Sequence, residues 1–136
     1  MTAVALHVLS AVAETNWGAD ARPSLSPEII TCLQDAVNLA LKNGFIVPHG
    51  ERRMGGDEML FGRAGLLLLL LNARVHQFSE DTETALAAVL DMIPQLIRVI
   101  IEAGREGSKD FVQKHGEEDA HPLMYAWMEG HYAFGA

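Results

Sequence analysis

The chain has 136 residues, 49% hydrophobic and 21% charged, which suits one ordinary domain with an apolar core and argues against a disordered segment. Its formal net charge of −8 repels phosphate backbones and anionic bilayers, which argues against nucleic acid as a partner. The single cysteine, Cys32, cannot form an internal disulfide, and this fits a reducing, cytoplasmic setting.

Taken in order, Thr2 to Glu14 reads as a helix rich in Ala, Leu and Val, with no internal Gly or Pro and no clear N-terminal cap. Met1 to Val12 is apolar but has no Lys or Arg at its start, so it is a poor signal peptide. Asn16 to Ser24 is loop. Ser26-Pro27-Glu28 opens a helix over 27–42: a capping hydroxyl, a proline at the first helical position and an acid in the first turn. Ile29, Ile30, Leu33, Val37, Ala40 and Leu41 follow a 3.6 period, and Asn43-Gly44 stops it. Cys32, on this helix, reads as a small buried hydrophobe.

Val47 to Gly56, with Pro48, Gly50, Gly55 and Gly56, reads as loop. A helix is predicted over 62–75, with Asp57 capping a short turn before it. The run Leu66 to Leu71 is far too short for a bilayer span of about 20 residues, so it is expected to be buried on every side. No transmembrane segment is expected. Gln77 to Asp81 is a polar linker, and a helix over 82–92 carries Leu86, Val89 and Leu90. Pro94 starts another over 94–114, with Leu96, Ile97, Ile100 and Ile101 inward and Gly104 and Gly107 weakening its later turns. His115-Gly116 ends it, and Glu117 to His121 is an acidic loop. No alternating runs flank Asn-Gly or Asp-Gly, so no β-hairpin is expected. The fold class is all-α, with five helices paired into helical hairpins.

Six histidines stand at 7, 49, 76, 115, 121 and 131, but none is four residues from another, and no Cys-x-x-Cys or His-Glu-x-x-His occurs. No metal ligands are therefore assigned. His115 and His121 flank the acidic loop as a weak cation option, beside the simpler reading of solvated loop residues. Gly62-Arg63-Ala64-Gly65 is not a phosphate loop, and no serine is framed as a nucleophile. Two segments carry candidate chemistry. Glu58 could take a proton or pair with Arg63, and Arg63 offers a planar fork for a carboxylate; alternatively Asp57 and Glu58 cap the helix and Arg63 is exposed or salt-bridged. Tyr125, Trp127, His131 and Tyr132 each have an apolar body and a polar tip, suited to a pocket or to the core.

Asp57-Glu58-Met59-Leu60-Phe61-Gly62-Arg63-Ala64-Gly65-Leu66 and the later Pro122-Leu123-Met124-Tyr125-Ala126-Trp127, with Tyr132 and Phe134-Gly135-Ala136, resemble the lanthionine synthetase C-like (LanC-like) family, in its eukaryotic branch. There a Glu-Leu-Leu-Tyr-Gly-Arg-x-Gly motif precedes Pro-Leu-Met-Tyr-x-Trp, a tyrosine and Gly-Ala-Ala-His-Gly. The family has a glutamate where this chain has Ala126.

The resemblance implies an α/α toroid of inner and outer helices, of which residues 1–136 form an incomplete ring as an internal piece of a longer protein. Bacterial members add cysteine thiols to dehydroamino acids. Eukaryotic relatives bind glutathione, and the implied chemistry is zinc-dependent addition of glutathione to dehydroalanine or dehydrobutyrine in peptide substrates. On this reading Glu58 and Arg63 line a central cavity as catalytic residues, and Tyr125, Trp127 and Tyr132 contact substrate. The family's zinc ligands are absent from this chain, so it is expected to be inactive alone. The competing expectation is a small all-α interaction module that exposes an apolar edge. Incomplete burial of 66–71 or 96–101 would then favour self-association or a partner.

Overall fold

The structure is a computed structural model, and it describes residues 22–42, 46–49, 52–57, 62–128 and 131–134. The helix predicted over 2–14 lies outside the described residues.

Helices dominate, as the 3.6-residue periodicity predicts. Helix α1 spans Pro27–Lys42, and the Ser26 carbonyl accepts the first amide bonds, from Ile29 at 3.1 Å and Ile30 at 3.2 Å. Leu33, Val37 and Ala40 point into the core at spacings of four and three residues. Cys32 lies off that stripe and is exposed, not buried as expected. The segment before α1 is tied to the start of a later helix. Leu25 N–H donates to Thr82 Oγ1 at 3.1 Å, Ser24 Oγ donates to Ser79 Oγ at 2.8 Å, and Ser79 N–H donates to the Pro23 carbonyl at 3.0 Å.

Helix α2 spans Arg63–Val75, α3 Glu80–Leu90 and α4 Ile93–His115. Pro94 separates the last two. It has no N–H to give and its ring crowds the carbonyl one turn back, so the helix breaks at Asp91–Met92 and restarts with Pro94 in its first turn. The stretch Glu80–His115 is long and apolar enough to cross a membrane by length and composition alone. Here it forms two helices, whose Leu86, Val89, Ile93, Leu96 and Ile100 are buried in the domain core. Gly116 closes α4 with φ at 93°, a left-handed conformation open to glycine, and its N–H donates to the Val112 carbonyl at 2.9 Å.

The structure adds what periodicity missed, a four-stranded antiparallel sheet. Its strands are β1 (Ile46–His49), β2 (Arg52–Gly55), β3 (Met124–Met128) and β4 (His131–Phe134), in the order β1-β2-β3-β4. The loop expected over 47–56 is a hairpin, with Val47 opposite Met54. The segment around Tyr125 is a second hairpin, with Ala126 opposite Tyr132. Met54 pairs with Met128 and joins the two. Proline is tolerated at Pro48 because β1 is an edge strand. Strand β3 is central in the sheet and packs on α4, with Met124, Tyr125 and Ala126 all buried.

The leucine run is covered on one side only. Leu66, Leu69 and Leu70 are buried, but Leu68 and Leu71 are 49% and 41% exposed, and Val75 is 77% exposed. Ile97, expected inward, faces outward at 38% exposure while Leu96 and Ile100 fill the core. A 100° step per residue places 68, 71 and 75 in one stripe of α2, opposite the core-facing positions.

Candidate functional site

The first candidate segment folds around a buried ion pair. After β2 the chain turns at Gly56 and Asp57, and the Arg63 N–H donates to the Gly56 carbonyl at 2.8 Å as α2 begins. This brings Asp57 beside the Arg63 side chain. Arg63 Nε donates to Asp57 Oδ1 at 2.6 Å and Nη2 donates to Oδ2 at 2.8 Å, the two-pronged geometry of a strong charge-assisted pair. Both side chains are only 2% exposed. Asp57 therefore does not cap α2: Gly62 holds the cap position, with no side-chain cap bond. Burial pushes the Asp57 carboxyl above its ordinary value, and the Arg63 guanidinium pulls against that rise.

Tyr125 comes from the second segment to the same place. Its phenol is raised first by burial and then by the Asp57 charge, with Arg63 acting the other way, so it lies in the field of the pair. The Tyr125 ring lies directly on α4 at Gly104. A methyl group there would come within 2.7 Å of Cζ and Oη and 3.0 Å of Cε1. Gly104 thus removes the side chain that would exclude Tyr125, and the helix propensity it gives up is the cost of that contact.

Tyr132 is elsewhere. The register sets Tyr125 opposite Ala133 and Tyr132 opposite Ala126, so the two tyrosines leave alternate faces of the hairpin. Tyr132 meets the last turns of α4. Its Oη donates to Asp110 Oδ2 and accepts from Lys114 Nζ at 3.2 Å, and Lys114 Nζ also donates to Asp110 Oδ2 at 2.9 Å. Its ring stands edge-on to Phe111 at 5.4 Å and to His115 at 6.1 Å. The bonds from Lys114 and Tyr132 hold Asp110 below the ordinary aspartate value. The Asp110 bond raises Lys114, and burial followed by the Asp110 bond raises Tyr132.

Of the predicted site residues, then, Arg63 and Tyr125 interact electrostatically, and Tyr132 is bonded to Asp110 and Lys114 at the end of α4. Glu58 lies outside the described residues, and Trp127 is placed as part of β3. Sequence reasoning missed Asp57 as the partner of Arg63, and Asp110 and Lys114 as partners of Tyr132. Asp110 and Lys114 carried a readable signal, an acid four residues before a base on one helix face. His115, weighed with His121 for a cation, stacks on Phe111 at 4.8 Å instead.

Among the described residues no three His, Cys, Asp or Glu side chains gather into a set that could hold zinc, and Cys32 is exposed on α1. Nor does any buried side-chain nitrogen or oxygen among them lack a hydrogen-bond partner. Comparison of the chain with protein-family models, with curated proteins and with solved structures finds no match.

Proposed function

We propose that this chain is a helical interaction module whose aliphatic stripe on α2 docks an amphipathic helix of a basic partner. The observation that carries the reading is the exposure of Leu68, Leu71 and Val75 on one helix face. The three span about 10 Å along the axis, at spacings of three and four residues. Two turns of such a stripe match the anchors of a helix-in-groove or helix-pair contact. The formal charge of −8 disfavours a second copy as occupant and favours a helix with basic flanks.

The test is titration of a lysine-flanked amphipathic leucine helix into the folded chain, followed by amide shifts. The expected result is a response centred on 68, 71 and 75 that Leu68→Glu with Val75→Glu abolishes. No response at millimolar peptide, or one centred elsewhere, overturns the reading. Concentration-dependent self-association abolished by the same pair of substitutions would replace the partner helix with a second copy.

A second reading, that the chain is a piece of a LanC-like toroid with a glutathione site, is favoured by one observation. Arg63 and Tyr125, one from each resembling motif, lie in each other's field. Against it, the second motif is in strand β3, not a ring helix, and Arg63 is engaged by Asp57. Glutathione titrated into the chain tests it: amide shifts confined to the surroundings of Arg63 and Tyr125 would support the toroid reading, and their absence at millimolar glutathione would remove it.

A further inference from the structure

Four side chains from the last two turns of α4, Asp110, Phe111, Lys114 and His115, converge on Tyr132 of β4. Their spacing of one, four and five residues places them on neighbouring ridges of the helix, so one tyrosine can meet all four. Two contacts are polar and fix the phenol oxygen between a carboxylate and an ammonium. The other two are ring edges that fix the plane of the phenol.

Tyr132 is opposite Ala126, the neighbour of Tyr125, whose ring lies over Gly104 on the same helix. Gly104 and Asp110 are six residues apart, about 9 Å along the axis. We propose that Tyr132 is a latch: its seat on α4 holds the β3–β4 hairpin in register, and through β3 it keeps Tyr125 over Gly104. Released, the hairpin carries Tyr125 away from α4, while α1, α2 and α3 stay folded.

Among the described residues, the charged and titratable groups that face Tyr132 are Asp110, Lys114 and His115, all on α4. The phenol and the ammonium titrate in the alkaline range and the carboxyl in the acid range, so the Asp110–Tyr132–Lys114 bonds persist near neutrality. A competing ligand for the phenol or for Lys114 is then a more natural release than a change in the charge of those three groups.

The latch is independent of the α2 stripe and is tested by amide hydrogen exchange on the full chain. Tyr132→Phe keeps the ring and removes both polar contacts. It is expected to raise exchange across 124–128 and 131–134 by about threefold to tenfold, the scale of one net hydrogen bond, and to leave 29–42 in α1 unchanged. Asp110→Asn repeats the test without touching ring packing, in case the first variant folds poorly. Three outcomes overturn the proposal. One is unchanged exchange in both variants, another is a rise in α1 equal to that in the hairpin, and the last is a rise confined to 131–134 with 124–128 unmoved.

Discussion

Two aspartate–cation pairs, one before and at the start of α2 and one on α4, each act on a tyrosine, and their surroundings give them opposite characters. Asp57 and Arg63 are 2% exposed, whereas Asp110 and Lys114 are 25% and 44% exposed around Tyr132. Burial raises the Asp57 carboxyl above its ordinary value; hydrogen bonds lower Asp110 below it. The residue types barely differ, so exposure decides the sign. In the buried pair, desolvation outweighs a bidentate partner. In the exposed pair, water has already met most of the solvation cost, and the Lys114 and Tyr132 bonds act as a small net gain.

The largest effect is expected from breaking the buried pair. Asp57→Ala removes the bidentate carboxylate partner of the buried Arg63 and should destabilise the chain by about 3–5 kcal/mol, read from denaturant midpoints. Asp57→Leu combined with Arg63→Met removes both charges and should recover part of that loss. A double variant as unstable as the single one would show that the pair itself stabilises the fold.

Next in size is the contact that brings Tyr125 to the buried pair. Gly104→Ala improves helix propensity by about 1 kcal/mol, yet the new methyl would stand 2.7 Å from the Tyr125 ring. Overpacking of this kind costs about 1–3 kcal/mol, so net destabilisation is expected. Combining it with Tyr125→Ala should give a strongly non-additive cycle, since the clash then has no partner. Gly104→Ala as stable as the native chain would mean that Tyr125 can move aside without loss.

The comparison also shows what local sequence could carry. α1 was legible because Ser26-Pro27-Glu28 marks its start and Leu33, Val37 and Ala40 mark its buried face, all within a few turns. The restart at Pro94 was legible for the same reason. The hairpins were not: their strands are four or five residues long, one holds Pro48 and another Arg52 and Arg53. The aromatic run Tyr125, Trp127, Tyr132, Phe134 was a strand signal that a reading as pocket lining obscured. Arg63 could be seen as a salt-bridging residue, but its burial, at 2% exposure, is set by tertiary packing that local sequence does not carry. The Asp110–Tyr132 bond likewise spans 22 positions and exists only once the second hairpin forms. The outward turn of Leu68 and Leu71 follows from which neighbours α2 meets, and a run apolar on every side carries no such preference.

The smallest expected effect separates the two pairs by sign. Asp110 lies below the ordinary value of 3.8, so its stabilising share is present above that value and is lost as pH falls through its folded value. Asp57 lies above 3.8, so its share is present below that value and is lost as pH rises through its folded value. The acid limb of the native chain is therefore a sum of opposed slopes. Asp110→Asn should cost less than about 1 kcal/mol at neutral pH and should lose stability less steeply than the native chain as the pH falls through the acid range. It should also flatten the alkaline limb. Lys114 is raised above 10.5 by its bond to Asp110, and Tyr132 above 10.0 by burial and then by its Asp110 bond, and their shares vanish as pH rises through the folded values. Added salt should shrink the difference between native and Asp110→Asn chains, because water and ions reach this pair, and should leave the Asp57→Ala deficit nearly unchanged. Urea midpoints across pH and salt supply the check. Parallel acid limbs for the native and Asp110→Asn chains would show that Asp110 gains nothing from Lys114 and Tyr132 on folding, and the contrast between the two pairs would reduce to burial alone.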